Sequence, residues 1–173
     1  MKEVVCLLAV AALLSSESVR PHIKAALAAY EDGKAAQRDK QVSRAIDSFS
    51  RAIEIEPTLL DAREALISVY LESGRRVEAA ACMTQFLEIQ PDALRYRLQL
   101  GKILLDQKQV ERALAQFSLV LQKDPYNADG LLGFASAARQ SGMEDRAAEA
   151  IRVGRKHYPS DDRFKGTPSN GPQ

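Results

Sequence analysis

Residues 111–125 read ERALAQFSLVLQKDP, and 34 positions earlier residues 77–91 read VEAAACMTQFLEIQP. The frame continues in both directions, as SRAIDSFSRAIEIEP at 43–57 and DRAAEAIRVGRKHYP at 145–159. Each segment ends on a proline, so Pro57, Pro91, Pro125 and Pro159 stand 34 residues apart in a chain with seven prolines. Twelve residues before them runs an unbroken alanine column, Ala45, Ala79, Ala113 and Ala147. Eight before them the residues are bulky and apolar: Phe49, Met83, Phe117 and Ile151. Five before them stand Ala52, Phe86, Val120 and Gly154. Further upstream, Gly33, Ile67, Gly101 and Ala135 form a column where small residues prevail, preceded by Asp32, Leu66, Leu100 and Phe134.

Each column has a physical reason. Alanine at a helix crossing lets two backbones approach, where a larger side chain would overpack the contact by about 1–3 kcal/mol. The bulky residue four positions on shares its helix face and fills the adjoining groove. Proline lacks an N–H and biases its predecessor away from helix, so it stops one helix and turns the chain into the next repeat. Within repeats, Gly74 (ESGRR) and Gly142 (QSGME) mark turns, and the polar runs RDKQ and DQKQ take their place in repeats one and three. The spacing predicts first helices near 22–38, 60–73, 94–107 and 128–141, and second helices near 43–56, 77–90, 111–124 and 145–158. No segment alternates in the manner of a strand. One such helix pair cannot bury its own apolar face, so neighbours must stack into a continuous core.

These columns resemble the tetratricopeptide-repeat (TPR) family, whose 34-residue unit is a pair of antiparallel helices. The resemblance covers roughly residues 26–159. It implies an all-α, right-handed superhelical array, an α-solenoid of four units at 26–59, 60–93, 94–127 and 128–159 within a domain spanning 22–159. Two family features depart. The first-helix tryptophan column holds Ala29, Arg63, Arg97 and Leu131, and the tyrosine column survives only as Tyr70.

Composition narrows the function. Twenty-four basic and 23 acidic residues leave a net charge of +1, which gives no reason to expect nucleic acid or an anionic membrane as partner. Cys6, Cys82, His22 and His157 have no metal-ligand spacing and make no disulfide framework. No nucleophile-elbow, phosphate-loop, dinucleotide or zincin motif occurs. The expectation is a protein that is not an enzyme, has no cofactor and takes no small-molecule substrate. Cys82, between Ala81 and Met83, reads as a small packed hydrophobe, and His157 as a cation suited to a helix end.

The two ends read differently. The apolar run at 4–14 (VVCLLAVAALL) lies within an N-terminal segment spanning 1–21, and the run is too short to cross a bilayer. Three readings stand: a signal peptide, a capping half-repeat built on Ala9, Leu13 and Pro21, or a fragment of a membrane anchor. Membrane association, if any, runs through this segment. An export signal places the protein in the periplasm or cell envelope, and otherwise it is cytoplasmic. Residues 160–173 (SDDRFKGTPSNGPQ) read as a disordered tail, being polar and rich in Gly and Pro.

In the family, side chains of the first helices line a concave face that holds a partner protein or peptide. Carried across by offset, that face is Tyr30, Lys34 and Arg38, then Glu64 and Ser68, then Arg95, Leu98, Lys102 and Leu105, then Leu132 and Arg139. Gln37 and Glu72 fall in the same columns. Mixed charge and a leucine strip suit an amphipathic peptide of mixed charge. The positions of a carboxylate clamp, as in TPR co-chaperones, are Tyr30, Lys34, Ala65, Arg95 and Gln99. Only two carry the required charge, so a clamp is disfavoured. The resemblance therefore implies a scaffold or adaptor, read here as an accessory protein of bacterial pilus or secretion-system assembly. The alternatives are a cytosolic chaperone or a self-assembling structural module.

Overall fold

The computed structural model describes residues 21–165, and the readings of the N-terminal run lie outside them. The described chain is all-α. After α1 (21–38) come α2 (Val42–Ile55), α3 (Leu60–Glu72), α4 (Arg76–Ile89), α5 (Leu94–Asp106), α6 (Val110–Lys123), α7 (Ala128–Gln140), α8 (Glu144–His157) and a single 3₁₀ turn, η1 (Asp162–Phe164). From the end of α1 onward, helix ends agree with the expected ones to within one residue. The chain divides into two compact units, Met1–Cys82 and Met83–Gln173, with the boundary inside α4.

The prolines act as the sequence requires. The residue ahead of Pro57 is extended at φ −131°, ψ 91°, and Asp124 ahead of Pro125 at φ −135°, ψ 89°. Their N–H groups still close the preceding helix, Glu56 onto the Ala52 carbonyl at 2.9 Å and Asp124 onto Val120 at 2.8 Å. The turns inside the repeats share one geometry. Lys40, Gly74, Lys108 and Gly142 all adopt positive φ, at 57°, 75°, 61° and 73°. In each case the next residue's N–H returns to a helix carbonyl at 2.8 Å: Gln41 to Ala36, Arg75 to Tyr70, Gln109 to Leu104 and Met143 to Ala138. These are Schellman caps, and the polar runs RDKQ and DQKQ form the same cap as the glycine turns.

In the first unit α2 packs on α3, and Phe49 is wholly buried. Its ring occupies the space over Gly33, where a β-carbon would sit 2.6 Å from Cδ1. Ala29, Ala52 and Ala62 form a small core bordered by Tyr30, Ile53 and Leu59. Arg63, in the tryptophan column, is only 9% exposed. Its Nε donates to the Pro57 carbonyl at 3.1 Å, so the guanidinium ties the helix back to the turn six residues before it.

In the second unit α6 packs on α5 and α7, and α7 on α8. Phe117 fills the space beside Gly101 and Gly133, with Cζ 2.7 and 2.5 Å from the positions their β-carbons would take. Arg97 repeats the role of Arg63, donating to the Pro91 carbonyl at 2.8 Å.

The expectation of a disordered tail from residue 160 is corrected through Lys165. Tyr158 N–H bonds the Gly154 carbonyl at 2.8 Å and Asp161 N–H the Tyr158 carbonyl at 3.1 Å. The same pattern closes the earlier repeats at Asp124–Val120 and Asn127–Asp124. Asp161 caps η1 through the Arg163 N–H, and Phe164 is completely buried. Arg155 Nε holds the Phe164 carbonyl at 2.7 Å. Composition is blind to this arrangement, because one aromatic in a polar stretch carries the packing.

Candidate partner-binding face

The first-helix columns come together within each unit. On the first unit, Tyr30 is half-buried, and Lys34 lies over its ring at 5.2 Å while pairing with Glu31 at 3.0 Å. Arg38 is exposed, and Glu64 and Ser68 are half-buried. A hydrogen-bonded cluster joins α1 to α3. The Glu72 carboxylate accepts from Ser68 Oγ at 2.7 Å and from Gln37 Nε2 at 3.3 and 3.4 Å. Among the described residues no cation pairs with Glu72. Glu72 and Gln37 line a cleft of about 300 Å³ together with Lys40, Val42, Ala45, Val69 and Ser73.

On the second unit, the exposed Arg95 stacks over Tyr96 at 4.4 Å and donates to its hydroxyl at 2.6 Å. Leu98, Leu105 and Leu132 are half-buried, and Arg139 is exposed. Lys102, read from sequence as a cation facing the ligand, is already engaged. Its Nζ lies 3.3 Å from Asp129 Oδ2, which ties α5 to α7. Arg163, from η1, takes the other Asp129 oxygen at 2.7 Å and also Asp161 at 2.7 Å. Hydrogen bonding from Arg163, and secondarily from Lys102, holds the Asp129 carboxyl below its ordinary value. Arg163 escaped the sequence reading because the chain after Pro159 read as tail. The signal was present, since Arg163 stands 34 residues after Asp129.

The Cys82 thiol is buried and its Sγ lies 4.0 Å from the Arg63 carbonyl. Burial pushes its pKa up to about 11, so it stays protonated. Among the described residues no group of side chains is placed to hold a metal ion. No described helix is long and apolar enough to cross a membrane.

Comparison with known proteins bears on the family and the fold. Two tetratricopeptide-repeat family profiles match, one over residues 64–128 and one over 104–167. No match is found among curated protein sequences. Among solved structures, YrrB, described as a TPR protein with an unusual peptide-binding site, superposes with a TM-score of 0.67 at 21% identity, over 82% of this chain and 73% of that one. A tetratricopeptide repeat protein from Parabacteroides merdae gives 0.71 at 14% identity, over 82% of this chain and 57% of that one. MamA from AMB-1 gives 0.68 at 18%, over 77% and 73%. At these identities the likeness is one of fold, and the repeat columns and the two profiles establish the rest: the chain belongs to the tetratricopeptide-repeat family.

Proposed function

We propose that this protein is a non-catalytic adaptor that binds an extended segment of another protein along the face of its first helices. The observation that carries the reading lies in the second unit, whose first helices α5 and α7 hold half-buried Leu98, Leu105 and Leu132 among the candidate face columns together with the exposed Arg95, Lys102 and Arg139. Apolar anchors with charged neighbours give a peptide both burial and register. YrrB supports it as a protein of this fold with a peptide-binding site. Because Asp129 already satisfies Lys102 and Arg163, an acidic ligand group must compete for them. A segment of mixed charge fits this face better than a uniformly acidic tail.

The apolar run at 4–14 supports a place in the bacterial envelope, as an accessory of pilus or secretion-system assembly. Intact Met1 on protein isolated from its own cell would count against export.

The test of the face is affinity capture with the wild-type chain and with an Arg95→Glu, Leu98→Ser double variant whose helicity and melting are unchanged. The expected result is a partner retained by the first and lost by the second. Equal capture by both would move binding off this face.

A further inference from the structure

We infer that the cleft between the C-terminal ends of α1 and α3 is a subsite for a lysine side chain of the bound segment. The inference rests on the reading of the chain as a peptide-binding scaffold and names one chemical feature of the ligand. Glu72 is the central group. Ser68 and Gln37 are neutral donors that fix its carboxylate without neutralising it, and among the described residues no cation pairs with it. Two helix C-termini add negative potential at the same place, since α1 ends at residue 38 and α3 at Glu72. A cation is therefore the favoured occupant.

The hydrogen-bond inventory chooses between the two basic side chains. A carboxylate has about four acceptor sites. Glu72 Oε1 accepts from Ser68 and Gln37, and Oε2 from Gln37, which leaves one on Oε2. An arginine fork needs two parallel acceptors, whereas an ammonium needs one. The apolar part of the cleft lining, Val42, Ala45 and Val69, matches an aliphatic stem, and Glu72 in the same lining its charged tip. Lys40 also lines the cleft and carries the same sign as the ligand, so it weakens the site and removing its charge should strengthen it.

The probe is acetyl-Ala-Lys-Ala-amide, titrated into the full isotope-labelled chain and followed by amide chemical shifts. Its control is the same peptide with norleucine, which keeps the stem and lacks the charge. The expected result is saturable shifts at the Gln37, Lys40, Val42 and Ser73 amides with the lysine peptide alone. Affinity should fall about fivefold in Glu72→Gln, the scale of one exposed ion pair, and rise in Lys40→Gly. Equal response to the norleucine peptide, no response at the cleft, or unchanged affinity in Glu72→Gln would each overturn the subsite. Shifts confined to Leu98 and Lys102 would remove the subsite and leave the binding face standing. Cleft binding alongside undiminished partner capture by the Arg95→Glu, Leu98→Ser variant would remove the face and leave the subsite.

Discussion

Gly154 and Phe164 are a matched pair: a β-carbon on Gly154 would lie 2.6 Å from Phe164 Cζ, inside the ring's contact surface. The same interval of ten residues joins Phe86 to Tyr96, with ring centroids 4.6 Å apart, and Val120 to Gly130, where a β-carbon would sit 3.0 Å from Val120 Cγ1. Large meets small at Gly154–Phe164 and at Val120–Gly130, and ring meets ring edge at Phe86–Tyr96, so each pair fits by its own local shape, as close packing demands. Phe164 thus packs on α8 as Tyr96 packs on Phe86 of α4 and Gly130 on Val120 of α6.

This pairing predicts a change of sign between backgrounds. Phe164→Ala should cost about 3 kcal/mol, because the ring is fully buried. Gly154→Ala in the wild type gains about 1 kcal/mol of helix propensity but displaces the ring at a cost of about 1–3 kcal/mol, so it should lower the melting temperature. In a Phe164→Ala background only the propensity gain remains, and the same change should raise it. A double-mutant cycle by thermal melting checks this, and additive effects would refute the pairing.

The two lysines in left-handed turns give a second prediction. An L-residue there costs about 1–2 kcal/mol, which glycine avoids at some loss of unfolded-state restriction. Lys40→Gly and Lys108→Gly should each stabilise by about 0.5–1 kcal/mol, whereas Gly74→Ala and Gly142→Ala should destabilise although nothing lies within 4 Å of either β-carbon position. Denaturant unfolding of the four variants measures it.

Legibility follows from what each column encodes. Pro57 to Pro159 and Ala45 to Ala147 act through backbone and close approach, so they fixed the helix ends, from that of α1 onward, to within a residue. Lys40 and Lys108 were opaque because lysine announces no left-handed conformation, and only the 34-residue offset from Gly74 and Gly142 could have revealed it. Phe164 and Arg163 were lost when the repeat count stopped at Pro159. On the candidate face the side chains that the columns select are all exposed or half-buried. The columns could not show that Lys102 reaches Asp129 or that Glu72 gathers Ser68 and Gln37, because such ties depend on rotamers and reach rather than on period.

The Asp129–Arg163 tie should leave a signature in acid. The Asp129 carboxyl is held below its ordinary 3.8, chiefly by Arg163. A lowered folded-state pKa means that the contribution is whole above 3.8 and is lost as pH falls through the folded value. The melting difference between wild type and Arg163→Gln should therefore be steady from about pH 5 to 8 and shrink below about pH 4. Added salt should shrink it at neutral pH too, since both side chains are largely exposed.

The tryptophan column yields the last prediction. Arg63 and Arg97 there reach the carbonyls of Pro57 and Pro91, but Ala29 and Leu131 are too short to do so. Ala29 borders a cleft of about 260 Å³ and Leu131 one of about 410 Å³. The larger cleft is lined by Leu121, Pro125, Leu131, Phe134, Ala150 and Val153 together with the charged Asp145, Arg146 and Glu149, and Pro125 stands six residues before Leu131 as Pro57 and Pro91 do before Arg63 and Arg97. Leu131→Trp should fill it, burying apolar area and offering an indole N–H to the Pro125 carbonyl, for a gain of about 1 kcal/mol. Leu131→Ala should instead cost about 2–5 kcal/mol. Melting curves separate the outcomes: a tryptophan variant that melts below the wild type would mean that the cleft cannot take the ring without displacing Phe134, over which Arg146 is stacked at 5.1 Å.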